Sequence, residues 1–343
     1  MQFIPRIAAS VPLLRLAIDI AARRRGQSGI DGVDWSRVYW TPPLTAKLAI
    51  ELEEAQIRSL GMSPLVSLTD HDDITGPVNS GALAHWAGRV PISVEWTFPF
   101  EGTFFHVGVH NLPPDEARTV WAEMAASTGS LDRRRLDETL QRLRECNETL
   151  VVLNHPLWDE KGIGAGPHRR ALDEFLRRHR SHIDALEYNG LRPASENRGT
   201  LELARQIDLP VVSGGDRHGF EPNSCLNLTS AGTFAEFVRN LKQTRHSTIL
   251  LMPHQAQHRT VRVIHHLWEI LRDDPEHGLG WHRWDQRIFY RNGDGSVRSL
   301  REHWGGHPPL LAQVFVALVH LMGHEAVRQL VRLALPARQD NAL

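Results

Sequence analysis

Six short runs of strand-forming residues, at 64–69, 91–95, 104–109, 150–154, 183–188 and 210–213, recur along the chain, several of them separated by helical patterns. Apolar residues stand at helical spacing from 44 to 60 (Leu44, Leu48, Leu52, Ala55), and Gly61 follows where a left-handed residue closes a helix. Further helical patterns cover 132–146, 168–180 and 196–207. A helix between two strands carries the chain back across the sheet, so the second strand lies parallel to the first. The alternation therefore predicts an α/β fold with a mainly parallel sheet or barrel.

A chain of 343 residues accommodates one barrel-sized core with an appendage. The boundaries expected are an N-terminal amphipathic helix over 1–30, an α/β domain over 31–252 and a C-terminal, mainly helical extension over 253–343. The apolar stretch at 3–22 carries Arg6, Arg15 and Asp19, and the run at 310–322 is short and interrupted by His320, so neither reads as a membrane span. The second run fits a buried helix or the contact of a homo-oligomer. Asn292-Gly293-Asp294-Gly295 lacks the ligand spacing of a calcium loop and predicts a hairpin turn over 290–297. A closing helix is expected over 309–335.

Lysine and arginine number 39 against 40 acidic residues, so no global field draws in nucleic acid or a membrane surface, and an anionic substrate must be held locally. The two cysteines, Cys146 and Cys225, form no paired spacing, which argues against a disulfide scaffold or a thiolate zinc site and fits a reducing cytoplasm. Histidine is the unusual count, at 20.

Polar residues with metal chemistry cluster at strand ends, where parallel β/α folds build their sites. Asp70 and His71 close the first run, Glu95 stands eleven positions before His106 with Gly102 between them, His155-Pro156 follows 150–154, and Asp216-Arg217-His218 follows 210–213. Imidazole and carboxylate suit zinc, manganese or iron, and a hydrolytic site needs several of them converging on one point. Taken singly, each motif also fits a turn or a packed histidine; together they fall in order at successive strand ends. Gly162-Ile163-Gly164-Ala165-Gly166 with Arg169 and Arg170, and separately Arg192 and Arg217, are candidates for holding a phosphate, through glycine amides and bidentate guanidinium groups. The glycine string also fits an ordinary surface loop.

The order of these motifs over 32–252 resembles the PHP (polymerase and histidinol phosphatase) superfamily, and most closely its small phosphoesterases of nucleotides and short RNA ends, whose second motif also reads Thr-Asp-His-Asp. The resemblance implies an irregular seven-stranded (β/α) barrel with up to three metal positions at its C-terminal mouth. It assigns His71 and His218 to one position and Glu95, His106 and His155 to a second, with Glu95 bridging to a third that also takes Asp216. The first motif departs from the family: Val38-Tyr39-Trp40-Thr41 stands where His-x-His-Thr belongs. One or two divalent ions (Zn, Mn or Fe) are therefore expected, with Asp31 and Asp34 as substitute ligands or solvated loop acids. Trp40 is expected at the end of the first barrel strand, in the place of a ligand.

The implied activity is hydrolysis of a small phosphoester or nucleotide end by metal-activated water, with Asp70 orienting a histidine or taking a proton. The rival is a catalytically degenerate domain that keeps a structural metal. His254 and His258, four apart, share a helical face if that segment is a helix, and no metal role is expected of them.

Overall fold

The computed structural model describes residues 38–41, 44–81, 83, 85–128 and 132–334; the helix expected over 1–30, Asp31 and Asp34 lie outside them. In chain order the elements begin β1 (Val38–Trp40), α1 (Ala46–Ser59), β2 (Leu68–His71), α2 (Thr75–Gly81), β3 (Ile92–Phe100), β4 (Thr103–Leu112), α3 (Ala117–Thr128) and α4 (Arg133–Glu145). Next come β5 (Leu150–Asn154), α5 (Ala165–His179), β6 (Ala185–Asn189), α6 (Ala194–Ile207), β7 (Val211–Gly214), β8 (Cys225–Leu228), α7 (Phe234–Thr244) and β9 (Thr248–Leu251). The chain closes with α8 (Arg259–Leu271), β10 (Ile288–Arg291), β11 (Val297–Ser299), α9 (Leu300–His303), α10 (Leu310–Gly323) and α11 (Glu325–Ala334).

Two units divide this chain. The larger comprises Thr45–Arg217 and Pro222–Gln255; the smaller takes residues up to Leu44, His218–Glu221 and the segment from Ala256. In the larger unit the six expected strand runs form one sheet in the order β2-β3-β4-β5-β6-β7. The pairs β2/β3, β5/β6 and β6/β7 are parallel, whereas β4 runs antiparallel to both neighbours. The reason is local: β3 and β4 are joined by the tight turn Glu101–Gly102, both residues at positive φ, and so short a link can only return the chain antiparallel. The sheet is thus mixed and, among the described residues, has six strands. The strand expected to open a seven-stranded barrel, Val38–Trp40, pairs instead with β10 of the smaller unit.

Alternation along β3 and β4 sorts the two faces. Val94, Trp96, Phe98, Phe100, Phe105, Val107 and Val109 are buried in the main core, together with Met124 of α3 and Phe175 of α5. Helix α4 shows why these helices form. Leu136, Leu140 and Leu143 make its buried stripe, Arg133, Arg134 and Arg135 face water, and the Asp132 carboxylate caps it by accepting from Arg135 N at 3.1 Å. On the opposite face Leu150, Val152, Ala185 and Val212 pack on Phe237 and Val238 of α7, and Ser93, Glu95, Thr97, His106 and Gly108 share the alternation of that face.

In the smaller unit β1, β10 and β11 form an antiparallel sheet, with Val38 opposite Tyr290 and Trp40 opposite Ile288. Val38 is buried among Ile264, Leu267, Ile288, Leu300 and Val319. That burial, extended by Thr41 N donating to Arg287 O at 2.9 Å, is what draws the strand away from the larger sheet. The expected hairpin is present: Asn292 N donates to Ser296 O at 2.8 Å, and Gly295 takes the positive φ of the turn. The closing helix is two helices, broken at His324, whose backbone is extended. Among the described residues no helix is long and apolar enough to cross a membrane.

Candidate metal centre

Strand register assembles the polar cluster. His71 lies opposite Glu95, and His106 lies between Thr97 on one side and Asn154 on the other. Gly108 is the residue opposite Glu95 on β4. A side chain there would begin 2.9 Å from Asn154 Oδ1 and 2.8 Å from His110 Nε2, inside van der Waals contact. Its absence lets Asn154 Nδ2 reach across and donate to Glu95 Oε1 at 2.9 Å, which fixes the carboxylate.

His155 follows the end of β5 with a positive φ of 28°, a strained setting for a residue with a Cβ. Glu187 of β6 holds it there: Glu187 Oε2 accepts from His155 N at 2.8 Å and pairs with His155 Nδ1 at 3.0 Å, while Asn189 Nδ2 donates to the same oxygen at 2.9 Å. Gly214 on β7 makes room, since a Cβ at that position would lie 2.5 Å from the Glu187 carboxyl carbon. With Nδ1 engaged, His155 offers Nε2, which stands 4.0 Å from Glu95 Oε1. Burial of the ring opposes its protonation, but Glu187 and then Glu95 and Asp216 hold its pKa up at about 9.

His106 completes the arrangement. Its Nδ1 is 3.7 Å from Glu95 Oε1, its ring centroid 5.0 Å from that of His155 and 4.7 Å from that of His71, and its side chain is only 6% exposed. One donor atom from each of His71, Glu95 and His106 lies within 4.8 Å of the others. Two ligands of one first-row ion, each bonded at about 2.0–2.2 Å, stand roughly 3–4 Å apart. These side chains therefore fit a divalent cation. A second sign is that the buried Nδ1 of His106 makes no hydrogen bond. Glu160 Oε2 comes within 2.9 Å of Nε2. Burial pushes the Glu160 carboxyl up, yet His106, His155 and His71 bring it down to about 2. The same three imidazoles hold Glu95 below the ordinary carboxylate range in spite of its burial.

The remaining expected residues are distributed differently. Asp70 is half-buried on β2 with its carboxylate against Gly76 of α2, and burial, then Asp73, pushes it up to about 6. Asp216, at positive φ, is bound by Arg192 at 2.7 Å, and Arg192 lies 3.9 Å over the Trp158 ring. Arg217 is engaged by Glu53 at 2.8 Å and Ala49 O at 3.2 Å. Arg169 pairs with Asp173 along α5, and Arg170 is exposed. The glycine loop already has an anion: the N–H groups of Gly162, Ile163 and Gly164 donate to Asp159 at 2.8, 3.1 and 2.7 Å. His218 belongs to the smaller unit, where its ring stacks on Trp40 at 6.4 Å. His254 and His258 share no α-helix: His254 sits in a 3-10 turn and His258 caps α8, its Nδ1 accepting from Thr260 N at 3.2 Å.

Sequence reasoning missed Glu187, Asn154, Asn189, Gly108 and Glu160. The first three had a signal, because a carboxylate and two amides inside wholly buried strands need polar partners. Glu160, in an ordinary polar loop, had none.

No family model matches the chain, and no curated protein matches it. Among solved structures, one similar to this chain is a "putative metal-dependent phosphoesterase" from Bifidobacterium adolescentis, at 17% identity and a TM-score of 0.38, over 59% of this chain and 91% of that one.

Proposed function

We propose that the larger unit is a metal-dependent hydrolase of small phosphate esters, nucleotide or RNA ends among them. The observation that carries the reading is the buried convergence of Glu95 Oε1 on His106 Nδ1 at 3.7 Å and His155 Nε2 at 4.0 Å, with the far nitrogen of His155 held by Glu187. Glu95, His106 and His155 hold one ion, with His71 beside them; one or two ions of zinc, manganese or iron are expected. A bound divalent cation supplies Lewis acidity to a phosphoryl oxygen and makes water a nucleophile near neutral pH. Asn154 aims the Glu95 carboxylate, and Glu187 fixes both the tautomer and the tilt of His155. The Asp70 carboxyl, pushed up to about 6, takes a proton near neutral pH.

Of the four arginines expected to hold phosphate, Arg170 is exposed, Arg169 and Arg217 are committed to carboxylates, and so is Arg192. Its pairing with Asp216 favours a second reading, a site that binds metal without turnover, because that carboxylate is then neutralised. The two free cysteines support a cytoplasmic location. Hydrolysis of an aryl phosphate with added manganese tests the proposal. Turnover that disappears in Glu95→Ala is expected; a metal-loaded protein without turnover on aryl phosphates or nucleotides would leave the structural reading.

A further inference from the structure

Resting on that reading of the site, we infer that Glu160 is a positioning residue that makes His106 bind its metal through Nδ1, so that the two histidines flanking Glu95 coordinate through opposite ring nitrogens. Each imidazole has one nitrogen beside a carboxylate on its outer side and the other toward Glu95. In His155 the outer nitrogen is Nδ1, 3.0 Å from Glu187 Oε2, and the inner one is Nε2, 4.0 Å from Glu95 Oε1. In His106 the order is reversed: Nε2 is 2.9 Å from Glu160 Oε2, and Nδ1 is 3.7 Å from Glu95 Oε1. A neutral imidazole carries one proton. The nitrogen beside a carboxylate keeps it, and the lone pair is left on the nitrogen that faces Glu95.

Glu160 is well placed for this task. Trp158 N donates to His155 O at 2.9 Å, and Glu160 N donates to Trp158 O at 3.0 Å, so the backbone of the loop is tied to the strand end. Asp159 anchors the other side of the same loop through its three amide contacts. The Glu160 side chain is 17% exposed, so water screens its contact with the buried ring only weakly.

The test uses the full chain with histidine ring nitrogens labelled with 15N, loaded with cadmium, and observed by long-range 1H–15N correlation. The His106 signals are assigned from their loss in His106→Gln. Coupling of 113Cd to His106 Nδ1 and to His155 Nε2 is expected, with manganese affinity falling about 10–100-fold in Glu160→Ala and recovering partly in Glu160→Gln, whose amide oxygen still accepts. Cadmium coupled to His106 Nε2, or unchanged affinity in Glu160→Ala, would overturn the inference while leaving the metal site standing. Wild-type protein that takes up neither cadmium nor manganese would overturn the reading on which it rests.

Discussion

Gly214→Ala adds one methyl group and should displace the most connected carboxylate of the candidate centre. The new Cβ would lie 2.5 Å from the Glu187 carboxyl carbon and 2.7 Å from its Cγ, with Oε1 closer still. Glu187 is itself buried between strands, so it cannot swing into water. Moving it strands His155 N, His155 Nδ1 and Asn189 Nδ2, each now bonded at 2.8–3.0 Å. A buried group left unsatisfied costs about 1–3 kcal/mol, and partial relaxation brings the sum for three to the order of 3–5 kcal/mol. Urea unfolding gives the stability and manganese titration gives the affinity, which should fall about 10–100-fold as His155 loses its support. Adding Glu187→Ala opens the space again, so the double variant should be scarcely less stable than Glu187→Ala alone. A Gly214→Ala protein within about 0.5 kcal/mol of wild type and with unchanged affinity would refute the packing argument, since that is the range of an innocuous substitution.

Glu269, buried in the smaller unit and accepting from Phe220 N at 2.9 Å, is pushed up to about 7 by that burial. The folded state then holds a proton that the unfolded state releases near pH 4.5, so stability should fall as pH rises from about 4.5 to 7, by the order of 3 kcal/mol, and the difference curve against Glu269→Gln should isolate that slope. A difference curve flat across that window would be inconsistent with the burial. Asp159→Ala leaves three loop amides without their acceptor and should raise their hydrogen exchange while lowering metal affinity, because Glu160 rides on the same loop; unchanged exchange would show the loop is held by other means. Asp132→Ala removes the cap of α4 and should cost about 1 kcal/mol in urea unfolding, with Asp132→Asn recovering most of it. Chelation with EDTA should lower the unfolding temperature of wild type, and much less that of Glu95→Ala; equal shifts would place the bound metal elsewhere.

The six strands of the larger sheet were legible because alternation and burial act within a few residues: the runs expected at 150–154 and 210–213 became Leu150–Asn154 and Val211–Gly214. Helix α4 was equally legible: the helical pattern over 132–146 became Arg133–Glu145. What failed depended on distant partners. Nothing in Val38-Tyr39-Trp40 says that its hydrogen-bonding partner is Ile288–Tyr290, and strand pairing of that range leaves no local mark. His71, Glu95 and His106 could each be named from strand motifs, because register carries each to its place, but the expected grouping set His71 apart with His218. The outer carboxylates are told apart by which imidazole nitrogen they face: Glu187 had a signal only as a polar residue in an apolar strand, and Glu160 had none. The glycine loop misled for a similar reason: its amides do bind an anion, but the anion is Asp159, four residues before Ile163.

The central claim is that Glu95, His106 and His155 jointly hold one divalent ion. Anomalous diffraction from crystals grown with manganese tests it most directly. A peak bonded at about 2.0–2.3 Å to Glu95 and to one ring nitrogen of each histidine is predicted. A wild-type crystal with no manganese there, or with the ion held by other residues while these three remain as they stand, would contradict it.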